Sequence, residues 1–313
     1  MISVIVPSYN EGESLPQLLD EIREALAPTF EDFEVIVVDD GSTDDTQQVL
    51  APWAADSTTC VRVLELRRNF GRTPAIMAGV NVARGDVIVT IDADLQDVPA
   101  EIPKLLEQID AGYDVVSGWK QDRQDPFVKR QSSKFFNSMV NRMTIAKLHD
   151  HGCGLKAFRA EAIRSLNLYG GLFRFVVPLL ESTGFRATEV RVQHRARRYG
   201  RSKIGASRFV RGGFDFVTVL FVTRFRESPL HFFGYTGLLL ALAGGLLGVY
   251  LAIYKFVGHH AIGGHPLLFL AGVLVIVGVQ ITITGVIGEQ INSMRLASDR
   301  SAAVRSWSGA EEE

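Results

Sequence analysis

The stretch Val87-Ile-Val-Thr-Ile-Asp92-Ala-Asp94-Leu-Gln96-Asp97 joins a β-branched run to a cluster of carboxylates. The run predicts a buried strand over Val87–Ile91, because β-branched side chains pack well in a pleated sheet. In an extended chain, residues two apart face the same side. Asp92 and Asp94 are therefore predicted to converge on one Mg²⁺ or Mn²⁺ ion, with an oxygen from Gln96 if the chain stays extended. A strand that runs into an acidic turn is the alternative interpretation.

Strand-like and helix-like patterns alternate along the N-terminal half of the 313-residue chain. This alternation predicts an α/β fold, in which helices cover both faces of a mainly parallel sheet. Ligands of such sheets bind beyond the carboxyl ends of the strands. The predicted strands are Ile2–Pro7, Phe33–Asp40, Val61–Leu66, Val87–Ile91 and Tyr113–Gly118, and the predicted helices are Glu13–Ala27, Thr73–Ala83 and Val98–Ala111.

Three of the predicted strand ends carry polar residues, so we expect one binding site along that edge of the sheet. The sequence lacks a Gly-x-Gly-x-x-Gly after the first strand and also lacks a Walker Gly-x-x-x-x-Gly-Lys. These are glycine-rich loops that hold nucleotide phosphates, so a bound nucleotide would instead be held by polar side chains and a metal. The three polar clusters are Ser8–Glu11, Asp39–Ser42 and Asp92–Asp94.

Two uncharged segments near the C-terminus, Phe232–Tyr254 and Pro266–Gly288, are each 23 residues long. About 20 apolar residues span the core of a bilayer, so the two segments and their short link predict a transmembrane hairpin. Buried helices of a soluble domain are the alternative. Gly244 and Gly248 form a small-xxx-small pair that favours close helix contact.

Charge and cysteine content indicate the side of the membrane. The arginines on the outer ends of the hairpin predict, by the positive-inside bias, that both chain ends are cytoplasmic. Two cysteines far apart in sequence, Cys60 and Cys153, favour a reducing compartment. The flanking arginines are Arg224, Arg226, Arg295 and Arg300.

Six motifs of the sequence resemble motifs of known enzymes. Three of them are Val6–Glu11, Val38–Asp44 and Asp92–Asp97, and the other three are Arg68–Gly71, Asp150–Lys156 and Tyr199–Lys203. The first three resemble the motifs of family 2 glycosyltransferases, which have the Rossmann-like GT-A fold. The other three resemble the branch that acts on polyprenyl phosphates and includes dolichol-phosphate mannose synthase. The resemblance covers about residues 1 to 230.

The resemblance implies that a hexose is transferred from a nucleotide sugar to polyprenyl phosphate, with a divalent ion on the leaving diphosphate. It assigns Asp92, Asp94 and Gln96 to the metal and gives Asp94 a catalytic role. For Asp39 and Asp40, turn formation with the following Gly-Ser is the alternative to nucleotide contact. The residues assigned to the nucleotide sugar are Pro7, Tyr9, Asn10, Glu11, Asp39, Asp40, Asp92 and Ala93.

The formal net charge of −2 conceals two basic regions. One follows the fifth predicted strand, on a segment predicted to become helical from Pro126, and contains Lys120, Arg123, Lys129, Arg130 and Lys134. The other lies within residues 186–211, where Glu189 is the only acid. Arginine suits a bidentate grip on phosphate, whereas Arg186, Arg191 and Arg195 are expected to be a solvated face. By resemblance, the lipid phosphate is bound by Arg123, Arg130, Ser133, Arg198, Ser202 and Lys203.

Asp150 has two candidate roles. The resemblance implies a general base, but the second pKa of a phosphate monoester is near 6, so the acceptor is already largely ionised at cytoplasmic pH. A positioning role for Asp150 is therefore an equal alternative. His149 and His151 are expected to be loop residues, and Cys153 a packing residue.

These expectations define an inverting, metal-dependent hexosyltransferase of the inner (plasma) membrane, with its catalytic domain in the cytoplasm. The predicted regions are a GT-A domain over 1–203, amphipathic helices over 204–230, two transmembrane helices within 231–290 and a tail over 291–313. A UDP-sugar is the favoured donor, with GDP-mannose as another, and no nucleic acid partner is expected.

Two other functions are weighed against this one. A processive polysaccharide synthase would carry a Gln-x-x-Arg-Trp motif, and the corresponding segment Gln193–Tyr199 departs from it. Such a synthase also needs a channel for its polymer, which two transmembrane helices could enclose only by forming a homo-oligomer. A non-catalytic nucleotide-sugar-binding protein is disfavoured by the intact Asp92, Asp94, Arg130 and Lys203.

Overall fold

The structure of the chain is a computed structural model. It divides into two compact units, Met1–Val219 and Leu220–Glu313. The structure describes residues 1–30, 32–55, 60–120, 137, 140, 141, 146–196, 229–257 and 266–299, with side chains to residue 291. The predicted amphipathic segment 204–230 lies almost entirely outside these residues.

The N-terminal unit contains a seven-stranded mixed sheet in the order β3-β2-β1-β4-β6-β5-β7. Strands β1, β2, β3 and β4 pair in parallel, β6 is antiparallel to both of its neighbours, and β7 is parallel to β5. This arrangement confirms the predicted fold class. The strands are β1 Ile2–Ser8, β2 Phe33–Asp39, β3 Val61–Glu65, β4 Val87–Thr90, β5 Val115–Lys120, β6 Lys156–Arg159 and β7 Ala187–Val192.

Helices pack on both faces of the sheet because neighbouring strand residues point to opposite sides. Val4 and Val6 share one hydrophobic cluster with Leu15 and Leu18 of α1, and Ile5 lies in the other. The helices of this unit are α1 Leu15–Leu26, α2 Thr46–Ala55, α3 Arg72–Val82, α4 Ile102–Asp110, α5 Ala160–Arg164 and α6 Val176–Ser182, with 3₁₀ turns at Pro99–Glu101 and Leu172–Phe175.

Strand register aligns the predicted polar clusters. Ser8 lies opposite Asp39, and Ile5 lies opposite Thr90. The Asp40 N–H donates to the Ser8 carbonyl at 2.8 Å. The carboxyl ends of β1, β2 and β4 therefore lie along one edge of the sheet, as the sequence predicts.

Two strand ends differ from the prediction. Strand β4 ends at Thr90, and Leu95 has a φ of 58°, so Asp92 and Asp94 lie in a turn. The extended chain that was to align Asp92, Asp94 and Gln96 is not formed, and the acidic-turn alternative describes the backbone. Strand β5 continues through Lys120, which places that lysine in the sheet, not beyond it.

The second unit contains two long apolar helices, α7 Pro229–Phe256 and α8 Pro266–Asp299. Within them, Leu230–Phe256 and Pro266–Ile291 are long and apolar enough to cross a membrane, with mean hydropathies of 2.1 and 2.5. The helices pack against each other through glycine: a Cβ on Gly244 would meet the Ala271 carbonyl at 2.8 Å. A Cβ on Gly248 would meet nothing within 4 Å, so only one member of the predicted pair lies at the contact.

Candidate active site

The loops after β1 and β2 are joined by side-chain hydrogen bonds to backbone amides. The Asn10 N–H donates to Ser42 Oγ at 2.9 Å, and the Thr43 N–H donates to Asn10 Oδ1 at 2.8 Å. The Glu11 N–H donates to Thr46 Oγ1 at 3.2 Å. Asn10 has a φ of 56°, a left-handed conformation that asparagine adopts more readily than most residues. The structure thus brings together the first two predicted clusters.

Asp39 and Asp40 support loops at this edge. Asp39 is fully buried, and its Oδ1 accepts the Ser42 N–H at 3.0 Å and the Ser42 hydroxyl at 2.5 Å. The two oxygens of Asp40 accept the N–H groups of Phe70 and Gly71, each at 2.7 Å. Asp39 therefore has the turn-forming role of the alternative interpretation. Asp40 fixes the loop that carries the Arg68–Gly71 motif. Contact with a nucleotide stays a prediction for both.

Asp92 and Asp94 differ in their surroundings. Asp92 is one-third exposed, its Oδ1 accepts a hydrogen bond from Arg72 Nε at 2.7 Å, and the same oxygen is 2.7 Å from Arg72 Nη2 in an ion pair. Asp94 is buried, and its Oδ1 accepts the Gln96 N–H at 3.2 Å. Leu95 follows Asp94 directly and lies in the core despite its left-handed backbone. A bulky residue in that conformation is an outlier of the kind that gathers at functional sites.

The turn after β4 is joined through its backbone to His194 and Arg195, which lie in the second basic region. The Arg195 N–H donates to the Gln96 carbonyl at 2.9 Å, and Asp97 forms a β-bridge with His194. Arg195 also pairs with Glu21 at 2.8 Å, so it is not the simple solvated residue that the sequence predicts. Arg186 and Arg191 are exposed, yet their guanidinium groups lie over Tyr113 and Trp119.

A buried ion pair lies beneath the turn. Lys120 Nζ is 2.6 Å from Asp97 Oδ1, and the Asp97 side chain is 1% exposed. Burial lowers the pKa of Lys120, but the charge and hydrogen bond of Asp97, together with the charges of its other neighbours, raise that pKa above its ordinary value. Lys120 lies inside β5 and is paired with Asp97, so its predicted place just beyond the fifth strand is wrong.

The residues of the turn fit a hard divalent cation. Asp92 and Asp94 offer carboxylate oxygens, the ligands that Mg²⁺ and Mn²⁺ prefer. The backbone at Gly154 lies close to these carboxylates, and only a glycine fits there. A Cβ added at this position would collide with Oδ2 of both Asp92 and Asp97. Among the described residues no three His, Cys, Asp or Glu side chains are placed to hold a metal. Substrate phosphates and water would complete the shell, as is usual for Mg²⁺.

The close approach of Gly154 to Asp92 and Asp97 can be tested by substitution. Gly154→Ala should lower the free energy of unfolding by about 1–3 kcal/mol, the usual cost of overpacking. In contrast, Gly152→Ala places its Cβ 3.4 Å from Asp150 Oδ1, an ordinary contact. Thermal unfolding in detergent would compare the two variants, and equal midpoints would contradict the close approach at Gly154.

Asp150 lies in a closed loop before β6. Its side chain is 2% exposed, and its Oδ1 accepts the Gly152 N–H at 3.0 Å. The loop is held by Lys156, whose Nζ donates to Ser117 Oγ at 2.8 Å and to the carbonyls of Cys153 and His151 at 2.7 and 3.3 Å. These three bonds use all three protons of the ammonium group. Burial lowers the pKa of Lys156.

The neighbouring loop residues have fixed protonation states near neutral pH. Burial and the charge of Lys156 lower the pKa of His151 to about 3, so this imidazole is neutral. Burial raises the pKa of Cys153 to about 12, so its thiol stays protonated, as suits a packing residue. His149 is exposed; it pairs with Glu189 and stacks on Trp119 with 4.1 Å between ring centroids.

The other predicted site residues divide into two groups. Pro7 and Tyr9 are half-buried at the end of β1, whereas Ala93 is buried, with 4% of the residue exposed. The predicted phosphate-binding residues lie outside the described residues: Arg123, Arg130, Ser133, Arg198, Ser202 and Lys203.

Sequence reasoning missed the roles of Arg72 and Lys156. Arg72 immediately follows the Arg68–Gly71 motif, and Lys156 ends the Asp150–Lys156 motif. Their positions beside these motifs were a usable signal. Their partners were not, because Asp92 is 20 residues from Arg72 in sequence and Ser117 is 39 residues from Lys156.

Comparisons with known proteins agree on one family. A model described as glycosyl transferase family 2 matches residues 3–166. Dodecaprenyl-phosphate galacturonate synthase of Rhizobium johnstonii is 37% identical over 294 residues, covering 93% of this chain and 87% of that protein. Undecaprenyl-phosphate 4-deoxy-4-formamido-L-arabinose transferase of Serratia proteamaculans is 36% identical over 291 residues, covering 93% and 88%.

A solved structure supports the fold. Glucosyl-3-phosphoglycerate synthase from Mycobacterium tuberculosis, in complex with Mn²⁺ and UDP-glucose, matches with a TM-score of 0.54 and 20% identity. The match covers 71% of this chain and 78% of that chain.

Proposed function

The chain belongs to glycosyl transferase family 2. We propose that it transfers a hexose from a UDP-sugar to polyprenyl phosphate with inversion, and that it does so at the cytoplasmic face of the inner membrane. The observation that carries the acceptor class is the likeness to two polyprenyl-phosphate enzymes over 93% of this chain. A glycosyltransferase acting on polyprenyl phosphate follows from the relatives. The donor, the stereochemistry and the membrane face are our proposal.

The donor half of the proposed site is the edge formed by β1, β2 and β4. Asn10 and Ser42 fix two loops there, and Asp40 fixes a third, so that edge is pre-organised for a nucleotide. The solved structure with Mn²⁺ and UDP-glucose has the same fold, which makes this metal and a UDP-sugar the first pair to test. When bound, the metal would neutralise the charge that develops on the leaving diphosphate.

The transfer step needs no strong base. A phosphate oxygen of the lipid attacks the anomeric carbon, the bond from that carbon to the diphosphate oxygen breaks, and the nucleoside diphosphate leaves with the electron pair. A single displacement of this kind inverts the anomeric configuration. The acceptor is already ionised near neutral pH, because the second pKa of a phosphate monoester is near 6.

The acceptor half is proposed to lie on the chain that follows β7. Backbone bonds tie Gln96 to Arg195 and Asp97 to His194, and Arg198, Ser202 and Lys203 follow closely in sequence. Since a polyprenyl tail stays in the bilayer, its phosphate must be gripped near the membrane surface. Two apolar helices, α7 and α8, are long enough to provide the membrane attachment.

We expect Asp150 to position groups and not to act as the base. Asp150→Asn keeps an oxygen that accepts the Gly152 N–H, so kcat should fall by only about tenfold, the scale of one hydrogen bond to a charged group. The pH profile of kcat should keep its shape. A general base would instead contribute about 10²–10⁴-fold, so a loss of that size that is partly restored at high pH would contradict the positioning role.

A panel of donors tests the proposed function. Membranes containing the protein would receive radiolabelled UDP-glucose, UDP-N-acetylglucosamine, GDP-mannose or a UDP-linked modified arabinose, each with polyprenyl phosphate and Mn²⁺. Transfer from one of the UDP-sugars into lipid supports the proposal. Transfer from GDP-mannose alone would overturn the donor assignment and leave the acceptor assignment in place.

A further inference from the structure

Arg72 and Asp92 form an ion pair at the centre of the candidate active site. Both Nε and Nη2 of Arg72 lie 2.7 Å from the same oxygen, Asp92 Oδ1. Asp92 Oδ2 faces Gly154 so closely that an added Cβ would collide with it. Asp92, which is proposed to bind a metal, is thus already paired with the permanent positive charge of Arg72.

The position of Arg72 is fixed by its neighbours and not by the ion pair alone. Arg72 is the first residue of α3, and its helix is preceded by Gly71 with a φ of 99°. Asp40 holds the amides of Phe70 and Gly71, and the Arg72 guanidinium lies 5.1 Å from the centre of the Phe173 ring. The loop therefore delivers Arg72 to the same edge that would hold the donor.

A guanidinium and a divalent cation compete for this carboxylate. An arginine side chain cannot lose its charge in a protein, so Arg72 repels any cation placed on Asp92. A diphosphate changes that balance, because it brings negative charge and oxygens that suit bidentate arginine. The Arg72 side chain is 39% exposed, so it has room to turn toward such a group.

We infer that Arg72 is a placeholder for the metal: it neutralises Asp92 until the donor arrives and then transfers its hydrogen bonds to the donor diphosphate. This rests on the proposed function, since it takes Asp92 as a metal ligand. The consequence is coupled binding, in which the metal alone binds weakly and the metal with a nucleoside diphosphate binds tightly.

The test is Mn²⁺ binding to the full-length protein in detergent, followed by the electron paramagnetic resonance signal of free Mn²⁺. Without nucleotide, Arg72→Gln and Arg72→Ala should bind Mn²⁺ about two- to fivefold more tightly, because a partly exposed ion pair is worth up to about 1 kcal/mol. With saturating UDP, both variants should bind Mn²⁺ about tenfold more weakly than the wild type, since one charged hydrogen bond to the diphosphate is lost.

Arg62→Ala is the matched control. Arg62 also pairs with a carboxylate, Glu34 at 2.6 Å, and its side chain is 37% exposed, but the pair lies at the amino ends of β2 and β3. Mn²⁺ binding with and without UDP should match the wild type in this variant. Thermal unfolding confirms that each variant is folded.

Opposite changes without and with UDP support the placeholder role, because a purely structural arginine would move both affinities in the same direction. Unchanged affinities, or changes of the same sign, would overturn it. If the wild type itself bound no Mn²⁺ with UDP present, the metal assignment of the proposed function would fall along with the placeholder role. Normal binding by the wild type and no difference in the variants would overturn the role of Arg72 alone.

Discussion

Asp92→Asn and Asp94→Asn are each expected to lower Mn²⁺- or Mg²⁺-dependent transfer by about 100- to 1,000-fold, the scale of losing one pre-organised group that stabilises developing charge. Both carboxylates lie in the turn after β4, at the edge where the loops of β1 and β2 meet. An amide keeps the shape and the hydrogen-bonding oxygen of Asp94 but removes the negative charge that a hard cation needs.

The measurement is initial rate against metal concentration, with thermal unfolding as the check on folding. Asp86→Asn is a suitable control, because the Asp86 side chain is 89% exposed and pairs with the N-terminus of Met1. Its rate should equal that of the wild type. Full activity of the Asp92 and Asp94 variants in EDTA would remove the metal assignment.

Arg130→Ala and Lys203→Ala are expected to reduce kcat/KM for polyprenyl phosphate by about 10- to 150-fold, because each removes a proposed hydrogen bond to the lipid phosphate, and a hydrogen bond to a charged group is worth about 1.5–3 kcal/mol. Binding of the nucleotide sugar should hardly change, since the proposed donor edge is built from β1, β2 and β4. Steady-state kinetics with each substrate varied in turn would separate the two effects.

Arg186→Ala serves as the control for charge alone. It removes one positive charge from the basic region that contains Lys203, but the Arg186 guanidinium lies over the Tyr113 ring and no phosphate contact is proposed for it. Its acceptor kinetics should match the wild type. Weaker donor affinity with unchanged acceptor kinetics in the Arg130 and Lys203 variants would contradict the division of the site.

Much of the fold could be predicted because the central strands are buried on both faces. The run Val4-Ile-Val6 places side chains in two hydrophobic clusters, so an unbroken apolar stretch marks the strand. Strand β6 has only four residues, Lys156–Arg159, and begins with a buried lysine, so its sequence carries no comparable pattern.

The residues of the candidate site could be predicted from the sequence, but their backbone conformations and pairings could not. The motif residues Asn10, Asp40 and Asp92 do lie on loops at one edge of the sheet. The left-handed backbone at Leu95 could not be expected, because leucine seldom adopts it. The pairings of Arg72 with Asp92 and of Lys120 with Asp97 join residues that only the folded chain brings together.

The most direct test of the central claim is mass spectrometry of the lipid product, together with identification of the released nucleotide. We expect polyprenyl phosphate that carries one hexose, with one nucleoside diphosphate released per lipid, and we expect Asp94→Asn to form little of either. Release of nucleoside monophosphate, or lipids that carry more than one sugar, would contradict it.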